Sequence, residues 1–224
     1  MERFSGEIFN WLNSDDQLLP GALAEVGRGW NLRRPDLLVG KAITVEASSR
    51  CLARRWNPRV PRNVRDYIRH SQEGLEIAQP STFMRLSLVR EMGGVKENLK
   101  YIFDWTLYLQ LLCARRGRLK IVLTPGILSN CLSHPQAKMI KDIPQVIQEG
   151  ERVYEQVSPL LNPMEKWMLR RHVRWNSLMD RVGRCANRPG SFGELLGLLP
   201  GNPSLVSSRF FWGAVRRSVR IKHG

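Results

Sequence analysis

The chain has 224 residues and a formal net charge of +15, from 35 Lys and Arg against 20 Asp and Glu. Apolar residues make up 42% and charged residues 25%, ordinary globular usage, which excludes wholesale disorder. No apolar run approaches the ~20 residues of a membrane-spanning helix, and MERFSGEIFNW lacks the basic-then-apolar layout of a secretion signal, so a cytoplasmic protein is expected.

The charge is uneven. Residues 1–150 hold 22 basic and 15 acidic side chains, whereas residues 151–224 hold 13 and 5. An excess of this size suits an anionic partner, whether nucleic acid, an anionic bilayer or a phosphorylated small molecule. The seven arginines of residues 50–69 are not laid out with the regular aromatic interleaving that base stacking requires. No helix-turn-helix or RNA-binding signature accompanies them, so no nucleic-acid partner is expected. Cys51, Cys113, Cys131 and Cys185 form no CxxC pair and the four His are scattered, which excludes a zinc finger or ribbon. Reduced, mostly buried thiols are expected.

In chain order, residues 7–12 (EIFNWL) read as a short buried strand ending in the polar turn Asn13-Ser14-Asp15-Asp16. Pro20 opens a short helix over residues 21–26. Residues 37–45, β-branched and apolar, predict a strand. Residues 48–75, basic and broken by Pro58 and Pro61, read as an exposed excursion ending in a helix over 64–71. Residues 77–84 contain Pro80 and predict extended backbone, and residues 87–92 a helix that stops at Gly93-Gly94. Leu107, Leu111 and Leu112 predict a helix over 104–115. Short strands follow over 119–123 and 127–132, on either side of Pro125-Gly126, and then helices over 140–157 and 164–182. Strand and helix alternate up to about residue 135 and the rest is helical, which argues an α/β fold with a helical C-terminal appendage.

Three features point to one kind of chemistry. Asp15 and Asp16 follow a strand, where open α/β sheets place their ligands. They suit Mg²⁺ or Mn²⁺ shared with a diphosphate, or else Asp16 caps the next helix. Asp104 opens a helix in apolar surroundings, either as an N-cap or as a general base for an acceptor hydroxyl. His134 and Lys138 lie four residues apart, where one could complete a metal site and the other neutralise phosphate, or both are surface groups.

The blocks Trp11-Leu12-Asn13-Ser14-Asp15-Asp16, Gln79-Pro80-Ser81-Thr82-Phe83 with Gly93-Gly94 behind it, Phe103-Asp104-Trp105 and His134 with Lys138 resemble, in that order, an inverting family-two glycosyltransferase. The resemblance covers residues 6–138 and implies a GT-A-like (Rossmann-like) mixed sheet. It implies that Asn13-Ser14-Asp15 takes the place of the family's DxD motif, with Asn13 where a carboxylate is usual. Asn13, Asp15, Asp16 and Lys138 would then bind the donor diphosphate, and Asp15, Asp16 and His134 the Mn²⁺ or Mg²⁺. Asp104 would be the catalytic base, and Gln79, Pro80, Ser81, Thr82 and Trp105 would line the acceptor side. Tyr108 replaces a Trp of the family pattern, and Ala137 a Ser.

The implied partners are a nucleotide-sugar donor and a glycan or lipid-linked acceptor, as in polysaccharide or glycolipid synthesis. Family members place base- and ribose-gripping strands ahead of the DxD turn, whereas five residues precede Gly6 here, so an N-terminally truncated domain over 1–138 is expected. A helical region over 139–224 follows it. A catalytically dead interaction fragment is the alternative. In residues 205–222, Phe211, Trp212, Val215 and Val219 fall on one side of a helical wheel and Arg209, Arg216, Arg217 and Arg220 opposite. Such a helix either lies on an anionic bilayer, at the inner face of the membrane, or docks on its own domain with its basic face in solvent.

Overall fold

The computed structural model describes residues 5–73, 76–134, 142–186 and 191–220. Two very short strands, β1 (Ile8–Phe9) and β2 (Gln17–Leu18), precede helix α1 (Ala22–Arg33), the long strand β3 (Leu37–Glu46) and β4 (Leu52–Trp56). Next come α2 (Val64–Glu73), a 3₁₀ turn at Gln79–Ser81, β5 (Thr82–Arg85), α3 (Leu86–Glu91), α4 (Phe103–Arg115) and β6 (Ile121–Ser133). Helices α5 (Ile143–Val157), α6 (Pro163–Ala186), α7 (Phe192–Gly197) and α8 (Arg209–Arg220) complete the chain. None of the described helices is long and apolar enough to cross a membrane.

The chain divides into two compact units, Met1–Leu169 and Arg170–Gly224. In the first, the sheet order is β1-β5-β3-β6-β2, with β4 also paired to β3. Strands β3 and β6 run parallel and every other pairing is antiparallel. This is a mixed α/β sheet, as expected. Because side chains alternate along a strand, Leu37 and Val39 pack into one cluster with helices α2 to α5, while Leu38 packs oppositely against Val26 and Trp30 of α1. A strand covered on both faces needs a continuous apolar run, which is why LLVGKAITV reads as a strand without polar alternation.

Helix α1 extends seven residues beyond the predicted end because Ala22, Val26 and Trp30, one turn apart, all bury against the sheet. It ends at Arg34 in the left-handed conformation (φ 43°), before Pro35. The excursion of residues 48–75 contains an unpredicted strand, β4, which pairs with residues 42–45 of β3. The two short strands expected around Pro125-Gly126 are one strand. Val39 pairs with Leu123 and Lys41 with Ile127, so residues 124–126 bulge out opposite Gly40. Glu25 of α1 caps the bulge, accepting from the Thr124 hydroxyl and from the Gly126 N–H at 3.1 Å.

Gly40 leaves the space that Leu128 fills. A Cβ there would lie 2.4 Å from both Cγ and Cδ1 of Leu128, a fully buried side chain. Gly40→Ala is expected to cost about 1–3 kcal/mol by overpacking, read as a lowered denaturant midpoint. An unchanged midpoint would show that Leu128 can move aside.

The first unit extends through Leu169, because Val153, Val157, Leu161 and Leu169 join the sheet's helical cluster. The second unit has its own core of Leu178, Val182, Leu195, Leu205, Phe211, Ala214 and Val215. The tail helix therefore turns Phe211 and Val215 into that core, while Arg209, Arg216 and Arg217 are exposed. Of the two readings of the tail, docking on its own unit accounts for Phe211 and Val215, two of the four residues predicted on the apolar side. Trp212, predicted on the same side, is 40% exposed, and its indole N–H donates to the Val206 carbonyl at 2.8 Å. All four thiols are free, but only Cys113 is buried and Cys51 is exposed, contrary to the expectation of mostly buried cysteines.

Candidate functional site

The turn after β1 is tied by its own side chains. The Asp16 N–H donates to the Asn13 carbonyl at 3.2 Å. The Asn13 amide donates to Asp16 Oδ2 at 2.9 Å and to Gln79 Oε1 at 3.0 Å, and Asn13 Oδ1 accepts from the Trp11 indole at 3.0 Å. Asn13 therefore serves as the knot of the turn; a carboxylate has no N–H to donate and could not form the same bonds.

Pairing of Gln17 with Asn130 and Leu18 with Ser129 sets this turn beside the end of β6. There His134 Nε2 lies 3.1 Å from Asp15 Oδ2. Burial pushes the Asp16 carboxyl above its ordinary range; the Asn13 hydrogen bond opposes this and the charge of Asp15 adds to it. Cys131 donates to Asp16, and burial together with that carboxylate pushes its thiol up to about 12. His134, far away in sequence, thus meets the Asp15-Asp16 turn at one place. Lys138 lies outside the described residues.

Asp104 sits in the first turn of α4. The helix starts at Phe103, with Ile102 at the N-cap and no side-chain capping bond, so Asp104 is not the cap. It lines a pocket whose apolar side includes Phe9, Trp11, Ile77, Met84, Phe103 and Leu107. Tyr67 and Tyr108 also line it, but their hydroxyls are committed to the carbonyls of Trp105 and Pro61. In this setting burial pushes the Asp104 carboxyl up to about 6, opposed by its own backbone N–H and that of Trp105. A carboxylate poised there suits proton abstraction near neutral pH.

Two residues join the halves. Trp11 and Gln79 line the Asp104 pocket and also hydrogen-bond Asn13 of the carboxylate turn. Gln79 further donates to the Trp11 carbonyl, and the rings of Trp11 and Phe103 are 4.7 Å apart. Thr82 and Trp105, predicted on the acceptor side, also line the pocket. Pro80 and Ser81, predicted with them, do not. Ser81 is fully buried, bonded to the Lys41 carbonyl at 2.9 Å and to Ser129 Oγ at 2.6 Å, and the Pro80 carbonyl accepts from Asn10 at 3.2 Å. The 3₁₀ turn sends these two into the sheet and leaves Gln79 and Thr82 facing the pocket.

Sequence reasoning missed Cys131, Tyr67 and Phe9. Only the position of Cys131, three residues before His134 at a strand end, offered a signal for the first. Among the described residues, no three His, Cys, Asp or Glu side chains form a ready-made metal cage. The adjacent carboxylates Asp15 and Asp16 nevertheless fit a hard divalent ion of the kind that completes its shell with phosphate oxygens and water.

The α/β unit, with its curled mixed sheet and flanking helices, has a glycosyltransferase-like fold. Among the solved structures it resembles are those of S. aureus TarS, a glycosyltransferase. The structure of TarS residues 1–349 in complex with UDP-GlcNAc matches with a TM-score of 0.51 at 12% identity, over 77% of this chain and 48% of that one. The same protein with UDP gives 0.49 at 13% identity, over 77% and 46%. The chain thus spans about half the length of these neighbours. No family model and no curated protein sequence matches it.

Proposed function

We propose that the chain carries the catalytic half-site of an inverting glycosyltransferase of the family-two type, which moves a sugar from a nucleotide donor to an acceptor hydroxyl. The supporting observation is the shared wall: Trp11 and Gln79 connect a buried carboxylate in an apolar pocket to a turn bearing two further carboxylates. General base and anion-handling groups must lie on either side of one reacting carbon, and this arrangement supplies both kinds side by side. The glycosyltransferase-like fold adds to the reading.

In the proposed reaction, Asp104 accepts the proton of the acceptor hydroxyl. The freed oxygen attacks the anomeric carbon, and the bond to the nucleotide diphosphate breaks on the opposite face, inverting the centre. Phe9, Trp11 and Phe103 exclude water from this face, and Gln79 holds the turn against it. Asp15 and Asp16 would hold Mn²⁺ or Mg²⁺, with His134 beside Asp15; when bound, such an ion supplies positive charge to the departing diphosphate. Lys138 is proposed as a further cation for that group. The acceptor is a glycan or a lipid-linked sugar, and contact of the basic second unit with an anionic membrane belongs to the same proposal.

Titration calorimetry with UDP and GDP, with and without Mn²⁺, tests the donor side. Metal-dependent binding is expected, and Asp15→Ala/Asp16→Ala is expected to weaken it by on the order of 100-fold, the loss of about 3 kcal/mol of charged contacts. Equal binding by the folded variant would remove these residues from the donor site.

A further inference from the structure

Glu149, in the middle of α5, is 5% exposed, and its carboxylate is spent entirely on main-chain donors. Oε1 accepts from the Lys100 N–H at 2.6 Å, and Oε2 from those of Tyr101 at 2.8 Å and Ile102 at 3.1 Å. A mid-helix Glu ordinarily points to water and is rarely buried without partners. Here three N–H groups receive it, and they are the three that immediately precede α4, whose first turn carries Asp104.

The start of a helix leaves its first N–H groups without intrahelical partners, and a polar side chain at the N-cap usually supplies the missing acceptor. In α4 the N-cap is Ile102, which has none. Glu149 instead fixes the entry to the helix from a separate element. A second tether comes from the same helix: the Tyr101 hydroxyl lies 2.8 Å from Asp142 Oδ2 and 3.1 Å from Gln145 Oε1. The segment that leads into Asp104 is thereby fastened to α5 at two places, in addition to the bonds that the Asp104 carboxyl makes to its own N–H and that of Trp105.

We propose that Glu149 is a positioning residue for Asp104: through the N–H groups of residues 100–102 it sets where the first turn of α4, and so the carboxylate, stands. The proposal rests on the reading of Asp104 as the base. Its consequence is that α5, which carries none of the sequence blocks quoted above, is part of the catalytic apparatus.

The test needs no known substrate. In the full chain labelled with ¹³C at Asp carboxyls, the Asp104 signal is assigned by its absence in Asp104→Asn, and its titration midpoint is read by NMR. The facing titratable groups are Tyr67 of α2 and Tyr108 of α4, whose hydroxyls burial pushes well above their ordinary value, so both stay neutral throughout. In Glu149→Gln, and to a smaller degree in Tyr101→Phe, the loosened turn admits water. The Asp104 midpoint is then expected to fall from about 6 towards the ordinary carboxylate range, by roughly half a pH unit or more. Amide exchange over residues 103–106 is expected to quicken at least ~10-fold, while exchange in β3 holds.

A midpoint and exchange rates unchanged in both folded variants would overturn the proposal. Tyr101→Phe removes one hydroxyl and no charge, so it decides alone should Glu149→Gln fail to fold. Transfer activity that survives Asp104→Asn would overturn the base assignment, a failure visible separately from the titration.

Discussion

Asp104→Asn is expected to lower the rate of sugar transfer by about 10²–10⁴-fold, the usual contribution of a positioned general base, while leaving nucleotide binding unchanged. The same substitution should make the protein more stable. The carboxyl titrates near 3.8 when unfolded and at about 6 in the fold. Between those values the folded chain binds more protons than the unfolded one, so stability falls as pH rises from about 4 to 6 and stays lowered above that. The difference amounts to at most about 3 kcal/mol at pH 7. Denaturant midpoints of the two proteins should therefore differ at pH 7, with the variant higher, and converge below pH 4. Transfer by the unsubstituted protein should rise through pH 6. A variant no more stable than the unsubstituted protein at pH 7 would show that Asp104 is solvated, and a variant that still transfers sugar would remove it as the base.

Phe211→Ala should melt the C-terminal unit. The ring is fully buried, meets Trp212 edge-on at 5.3 Å between centroids, and shares a core with Val182, Leu195 and Leu205. Removing a buried Phe costs about 3–5 kcal/mol, and a unit this short buries too little surface to absorb that. Hydrogen exchange should lose protection over residues 191–218 while β3 in the first unit stays protected. Protection retained in α8 would show that the small core does not hold that helix.

Much of the first unit is legible in the chain because its strongest elements are locally consistent. Leu107, Leu111 and Leu112 mark α4, and Gly93 and Gly94, with φ of 76° and 73°, end α3 where the sequence stops it. The length of α1 was hidden by Gly27 and Gly29, poor helix formers that sit inside a face held by Val26 and Trp30. Strand β4 was hidden for a different reason. LARRW is mostly exposed and owes its conformation to main-chain pairing with β3, which leaves no apolar pattern to read.

The site divides in the same way. Asp15, Asp16 and Asp104 were visible through residue type and order, and Gln79 through its block. Which residues of that block face the pocket depends on a 3₁₀ turn that a motif does not specify. Glu149 could not be found from the sequence, since a Glu in an amphipathic helix looks like any other solvated charge until its main-chain partners are known.

The parallel pairing of β3 with β6 also bears on how the protein is made. Strand β3 ends at Glu46 and β6 begins at Ile121, so the ribosome must add some 75 residues before the partner exists. At ~5–20 residues per second this takes on the order of 4–15 s. Throughout that interval one edge of the most apolar strand in the sheet is open, and only β4 and then β5 can engage its other side. An open apolar edge invites wrong pairing, so synonymous codons that slow translation between residues 46 and 121 should lower soluble yield without changing a single side chain.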